Sequence, residues 1–240
     1  MMAMSATTTK SKKAQRSDVA IIIPVYNEGK VIRAVVQNTL KHFKYVVCVN
    51  DGSKDNTSFE IEKTKAYLVE HPINMGQGAA LQTGIEFARQ LPVEYFVTFD
   101  ADGQHRIEDV VKMLGTIQTG KYDVILGSRF LGSAAIGMSR TKRVVLKLGI
   151  RFSNAMTGLK LTDTNNGLRV FNRYVAEGIQ ITLPDMSHAS EIVEIIAAKK
   201  YRYHEVPVTI EYSDYSQAKG QPIINAINIA FDMLLRRIAR

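Results

Sequence analysis

From residue 19 onward the chain alternates short, wholly apolar runs with longer amphipathic ones. Residues 19–26 (Val-Ala-Ile-Ile-Ile-Pro-Val-Tyr) are apolar throughout and rich in β-branched side chains, the signature of a strand buried on both faces. Residues 30–43 then carry apolar side chains at helical spacing: Val31, Ala34, Val35 and Leu40. The same alternation predicts a strand over 45–49, a helix over 57–71, a helix opening in 74–80 and running to 89, a strand over 95–99, a helix over 107–119 and a strand over 123–127. Farther along, the pattern gives a basic amphipathic helix at 140–157, a short strand at 168–171, a helix at 187–199, a strand at 203–212 and a last helix at 223–240. No internal repeat and no linker interrupt the body of the chain. Repeated strand–helix alternation implies an α/β fold of three layers, a mainly parallel central sheet with helices on both faces. One domain over 19–222 is expected, and in such folds ligands collect beyond the carboxyl ends of the strands.

Composition narrows the class. With 240 residues, 45% of them apolar and 22% charged, the chain can bury a large core and is not a disordered polymer. A single cysteine, Cys48 in an apolar run, excludes an internal disulfide and reads as a small core thiol. No apolar stretch reaches the ~20 residues that cross a bilayer, and the N-terminus lacks a secretory apolar segment. A cytoplasmic location is therefore expected. The net charge of +8 is concentrated at the ends: Lys10, Lys12, Lys13 and Arg16 fall in a Ser/Thr-rich segment, 1–18, expected to be disordered, and Arg236, Arg237 and Arg240 close the chain. Such ends either keep the protein soluble or draw it to an anionic surface, nucleotide or nucleic acid.

Each expected strand is followed by a polar cluster. The sharpest is Asp100-Ala-Asp102-Gly-Gln104-His105. Two carboxylates so close together repel, and a hard divalent cation that also bridges to phosphate removes the cost. Without such a cation the same residues are a solvated acidic turn. It is not an EF-hand loop, because Gly103 stands at the fourth position and Val111 where the closing Glu belongs. Tyr26 offers a stacking face, while Glu28 and Asp51 offer acceptors to base or ribose donors. Arg129 offers a fork to phosphate. Asn74-x-Gly76-x-Gly78 is not a dinucleotide fingerprint, and no G-x-x-x-x-G-K-[ST] loop is present.

Five motifs in order (Ile-Ile-Pro-Val-Tyr-Asn-Glu28, Val-Asn-Asp-Gly-Ser53, Asn74-x-Gly-x-Gly-Ala-Ala80, Asp-Ala-Asp-Gly-Gln-His105 and Gly-Ser-Arg129) resemble those of family 2 glycosyltransferases. Within the family they look most like the dolichol-phosphate mannosyltransferase and polyprenyl-phosphate glycosyltransferase branch. The resemblance spans about residues 19–220. It implies a GT-A fold, an inverting transfer, a GDP- or UDP-sugar donor, Mg²⁺ or Mn²⁺, and a dolichyl or undecaprenyl phosphate acceptor at the cytoplasmic face of a membrane. By position, Pro24, Tyr26, Glu28, Val49 and Asp51 correspond to nucleoside contacts. Asp100 and Ala101 would line the donor, and Asp102 and Gln104, with Asp100, would hold the metal. Arg129 and one of Arg140 or Arg143 would engage phosphate. Lys219 resembles the lysine of the branch's late loop near donor and acceptor phosphates. Two residues depart from the branch: Ser213 stands where an arginine is usual, and Gly103 where a leucine is usual.

A phosphate acceptor is already ionised near neutral pH and needs cations more than a base. The helix at 140–157 (Arg140, Lys142, Arg143, Lys147, Arg151) and Lys219 supply them. A glycan hydroxyl acceptor would need a base instead, with Glu191 or Asp163 as candidates. Glu191 reads equally as a first-turn helix acid, and 163–167 equally as a turn or an acceptor-side loop. His188 is either a helix-start residue or an acceptor contact. His42, His71 and His204 read as surface or strand fillers. The absence of Trp excludes the Q-x-x-R-W motif of processive synthases. A non-enzymatic nucleic-acid-binding protein finds no motif in support. The helix at 223–240 either packs on the body or lies at an anionic membrane surface.

Overall fold

The computed structural model describes residues 16–131, 140–184 and 187–211. Most of the basic tail, Ser213, Lys219 and the helix expected at 223–240 lie outside the described residues. Among the described residues seven strands form one sheet: β1 (Arg16–Val25), β2 (Phe43–Asn50), β3 (Tyr67–Glu70), β4 (Tyr95–Thr98), β5 (Val124–Ser128), β6 (Arg169–Asn172) and β7 (Tyr203–Pro207). The helices are α1 (Ile32–Leu40), α2 (Thr57–Glu62), α3 (Gln77–Arg89), α4 (Ile107–Ile117), α5 (Arg140–Thr157), α6 (Arg173–Gly178) and α7 (His188–Ala198). The strand order is β3-β2-β1-β4-β6-β5-β7. All neighbours run parallel except around β6, which is antiparallel to both β4 and β5.

The period of two in β1 divides the core. Val19, Ile21 and Ile23 face a cluster with Ile32 and Val36 of α1 and Val110, Met113 and Leu114 of α4. Ala20 and Ile22 face the other side, against Ala80, Leu81 and Ile85 of α3, Val175 of α6 and Ile192 of α7. Three layers result, as the alternation predicts. Gly84 lets α3 approach closely: a Cβ there would collide with the Ile22 side chain. Cys48 is buried, and burial pushes its thiol up to about 12, so it packs as an inert apolar group.

Three local readings change. The strand β1 begins at Arg16, whose amide donates to the His42 carbonyl, so the last residues of the expected tail are part of the sheet. The helix expected over 57–71 stops at Glu62. Tyr67, Leu68 and Val69 instead pair with β2 opposite Val47, Cys48 and Val49. Helical periodicity there is overridden by an open sheet edge that the segment can satisfy with main-chain bonds. The six-residue α6 is not signalled by periodicity; the Asn172 side chain caps it by accepting from the Val175 amide.

Candidate active site

Strand β4 delivers the acidic turn to the carboxyl edge of the sheet. Thr98 Oγ1 donates to the Gly167 carbonyl at 2.5 Å, which ties β4 to the loop before β6. Gly167 then lies flat against Asp100: a Cβ there would sit 2.5 Å from both carboxylate oxygens. His105 Nε2 lies 2.8 Å from Asp100 Oδ2, and because a carboxylate only accepts, that nitrogen carries the proton. The ring packs edge-on against Phe99, with its Nδ1 buried and unpartnered. Behind them stands Arg169, the largest fully buried side chain among the described residues. Burial pulls its guanidinium down to about 10, against the opposing pull of Asp100 and Asp163. Burial also pushes Asp100 upward, but His105, Arg169 and His188 outweigh it and leave that carboxyl below its ordinary value.

Asp102 has the opposite environment. The Gln104 main-chain amide donates to its Oδ1 at 3.0 Å. Burial first, then the charges of Asp100 and Glu28, push it up to about 6. Glu28 is itself buried at the mouth of α1, where its carbonyl accepts from Val31 and Ile32. The charges of Asp100 and Glu28 thus both oppose ionisation of Asp102.

On the other side of β1 lies the nucleoside region expected from the sequence. Tyr26 is exposed, Ala101 is buried beside the acidic pair, and the Val49 side chain is sealed in the core beside Pro24 in the β1–β2 register. The turn after β1 is locked to the turn after β2, since the Asn27 amide donates to Ser53 Oγ and the Lys54 amide to Asn27 Oδ1. Asp51 is buried and accepts from the Met75 amide (2.8 Å), the Gly76 amide (2.8 Å) and His71 Nδ1 (2.7 Å). His71 is therefore not a surface filler: its ring is buried and bridges Asp51 to Thr83 Oγ1 on α3.

The far half of the sheet edge is held by saturated carboxylates. Asp163 takes Arg129 as a fork, Nε to Oδ2 at 2.6 Å and Nη2 to Oδ1 at 3.3 Å, and the Arg129 amide as well. Glu205 accepts from the amides of Thr162 and Asp163; burial raises its carboxyl. Glu191 accepts from the amides of Thr182 and Leu183 and from Thr182 Oγ1. Both base candidates, Glu191 and Asp163, are thereby engaged in holding loops. His188 is buried at the start of α7. Arg140 opens α5, and Arg143 lies on its exposed surface. The Glu211 amide donates to the Gln104 carbonyl beside the acidic turn.

Sequence reasoning therefore placed the acidic pair, Gln104, Glu28 and Asp51 along one edge, but missed His71, Arg169, Gly167 and Glu205. Arg169 carried a signal: a lone cation in the apolar run Leu168-Arg-Val-Phe171 requires buried counter-charges. The partner of His71 lies twenty residues away, and nothing local announces it.

The three-layer α/β fold built on this strand order is of the GT-A type found in its structural neighbours. The glucosyl-3-phosphoglycerate synthase of Mycobacterium tuberculosis, solved with Mn²⁺, UDP and phosphoglyceric acid, matches with TM-score 0.70 over 92% of this chain and 78% of that one, at 14% identity. The profile of Glycosyl transferase family 2 matches residues 20–179, and the chain belongs to that family. A protein of Methanocaldococcus jannaschii without assigned function is 32% identical over 99% of this chain and its own full length. The UDP-N-acetylglucosamine--dolichyl-phosphate N-acetylglucosaminyltransferase of Methanococcus voltae is 31% identical over 92% of this chain and 97% of its own. The undecaprenyl-phosphate 4-deoxy-4-formamido-L-arabinose transferase of Shewanella sediminis is 27% identical over 90% and 65%.

Proposed function

We propose that this glycosyltransferase moves a sugar from a nucleoside-diphosphate sugar to a polyprenyl phosphate, with inversion, at the cytoplasmic face of a membrane. The observation that carries the donor half is Asp102: a carboxyl pushed up to about 6 by burial and by Asp100 and Glu28 is a site short of positive charge. Among the described residues no three His, Cys, Asp or Glu side chains form a metal site on their own. Asp100, Asp102 and the side-chain carbonyl of Gln104 are all-oxygen donors that fit Mg²⁺ or Mn²⁺ only if a ligand such as a diphosphate completes the shell. Bound there, the ion would offset the charge that develops on the departing diphosphate.

The chain's own residues do the rest. Tyr26 and Asp51 receive the nucleoside, and Ala101 closes the floor beneath the sugar. His105 and Arg169 keep Asp100 ionised and immobile. An oxygen of the acceptor phosphate attacks the anomeric carbon from the face opposite the diphosphate, one C–O bond forming as the other breaks. That oxygen is already anionic, so no proton need be removed. The engagement of Glu191 and Asp163 with loop amides and Arg129 agrees with chemistry that needs no base. Arg143 and Lys219 would meet the acceptor's charge.

The names of the relatives from M. voltae and S. sediminis support a polyprenyl acceptor. So does α5, which exposes Val144 (58%) and Leu148 (60%) beside Arg143, Lys147 and Arg151, a mixture suited to an anionic bilayer surface. No helix of the described residues is long and apolar enough to cross a membrane. The decisive experiment supplies labelled UDP- and GDP-sugars, Mn²⁺ and undecaprenyl phosphate in anionic vesicles. The expected product is a sugar-phosphate lipid. Transfer only to free glycans would overturn the acceptor and favour a hydroxyl substrate.

A further inference from the structure

One buried group has no part in that chemistry. His71 sits where the chain leaves β3, its amide bonded to the Asn50 carbonyl at the end of β2. Its Nδ1 meets Asp51 Oδ1 at 2.7 Å and its Nε2 meets Thr83 Oγ1 at 3.0 Å. Asp51 can only accept, so Nδ1 carries a proton whichever charge the ring has. The segment that follows is fixed by the same carboxylate, through the Met75 and Gly76 amides, both at 2.8 Å. Two glycines make this clasp possible. Gly76 has φ +93°, and Gly52 (φ +67°) lies so close to the main chain of Ile73 and Asn74 that no Cβ fits.

A carboxylate offers about four acceptor positions, two on each oxygen. Here Oδ1 takes two donors, His71 and Met75, and is full. Among the described residues Oδ2 takes one, Gly76, and keeps a single position. The uracil edge presents one N–H between two carbonyls and needs one acceptor. The guanine edge presents N1–H and the exocyclic amine side by side and is best met by both oxygens of a carboxylate. With Oδ1 saturated, that two-point grip is closed.

Resting on the reading of this chain as a nucleotide-sugar enzyme, we propose that His71 is a positioning residue that sets donor choice: by occupying Asp51 Oδ1 it leaves one acceptor for the base and selects uridine over guanosine diphosphates. Without His71, Oδ1 regains a free position, Asp51 loses one of three anchors, and the 73–76 segment loosens.

Calorimetry of the full-length protein with Mn²⁺ and either UDP or GDP, without acceptor, tests this. The wild type is expected to bind UDP at least about tenfold more tightly than GDP. His71→Ala should weaken UDP about tenfold and shrink the UDP/GDP ratio. In turnover the loss should fall on donor KM, with kcat changing far less. His71→Asn, whose amide can donate from near the Nδ1 position, should restore most of the UDP affinity, which a purely structural defect would not predict. If the alanine variant does not fold, Thr83→Val, which removes only the outer anchor, should shift the ratio the same way by a smaller factor. Equal affinity of the wild type for UDP and GDP, or unchanged affinities in His71→Ala, overturns the proposal while leaving the enzyme class intact. Failure of the wild type to bind either nucleotide would remove the nucleotide-sugar reading and this inference with it.

Discussion

Two regions of the sheet edge, the side of β5, β6 and β7 and the turn that carries Asp102, treat their carboxylates in opposite ways. On the side of β5, β6 and β7, Asp163, Glu191 and Glu205 are met by main-chain amides or an arginine fork, and each clamps a loop. At the end of β4, Asp102 accepts from the Gln104 amide, faces two carboxylate neighbours, and its carboxyl rises to about 6. Saturated carboxylates build scaffold, because a buried anion with enough donors stabilises the loop around it. An under-served one costs folding free energy, and the cost is recovered only when a cation arrives. The contrast separates the residues expected to act from those expected to hold.

The largest effect should come from Asp102→Asn. Loss of the charge is expected to lower transfer by about three orders of magnitude, the range for removing a group that offsets transition-state charge. The same change should leave the metal-free protein as stable as the parent or more so, since a repulsion is removed. Steady-state rates together with thermal denaturation check both halves, and a variant that is active would undo the contrast.

Gly167→Ala comes next. The added methyl meets both Asp100 oxygens, so the carboxylate must swing away from His105. A fall in kcat/KM of about a hundredfold is expected, with a stability loss of about 1–3 kcal/mol. Unchanged kinetics would mean that the position of Asp100 matters little.

Glu191→Gln should show the reverse profile. The one oxygen of the new amide can still accept from the Thr182 and Leu183 amides, but its NH₂ replaces the oxygen that accepts from Thr182 Oγ1 and the charge is lost, so denaturant unfolding should reveal a loss of about 1 kcal/mol. The pH–rate profile of the folded variant should keep its shape. Disappearance of an acidic limb from that profile would instead assign Glu191 the part of a base.

The smallest effect is on pH dependence. The folded-state value of Asp102 is raised, from 3.8 to about 6. Its contribution to stability is therefore fully present below the ordinary carboxylate range and is lost as pH rises through about 6. Melting of the metal-free protein should fall by about 1 kcal/mol between pH 4 and 7, solvent screening having taken the larger part of the shift. Asp102→Asn should flatten that slope, and an identical slope in the variant would place the titration elsewhere.

Much of the architecture was legible because it is written in short-range periodicity. Wholly apolar runs at 19–25 and 45–49 can only be strands covered on both faces, and the turn residues after them mark where the edge opens. The acidic pair was legible for the same reason: both carboxylates lie within three residues and no distant contact is needed to see that they repel. The edge strand β3 was not legible, because Tyr67-Leu-Val69 also fits a helix. Only the vacancy beside β2 decides between the two.

Sequence alone thus determined the alternation of elements, the side of the sheet on which chemistry gathers and the family resemblance, since each depends on neighbours within a few positions. Tertiary structure alone decided which charged groups are satisfied. Arg129 and Asp163 meet across 34 residues, Asp51 and His71 across 20, and Glu205 reaches back 42 to Asp163. Whether a carboxylate is a clamp or a binding site depends on how many donors converge on it. That number is set by which loops the packed layers bring together, and no local pattern records it.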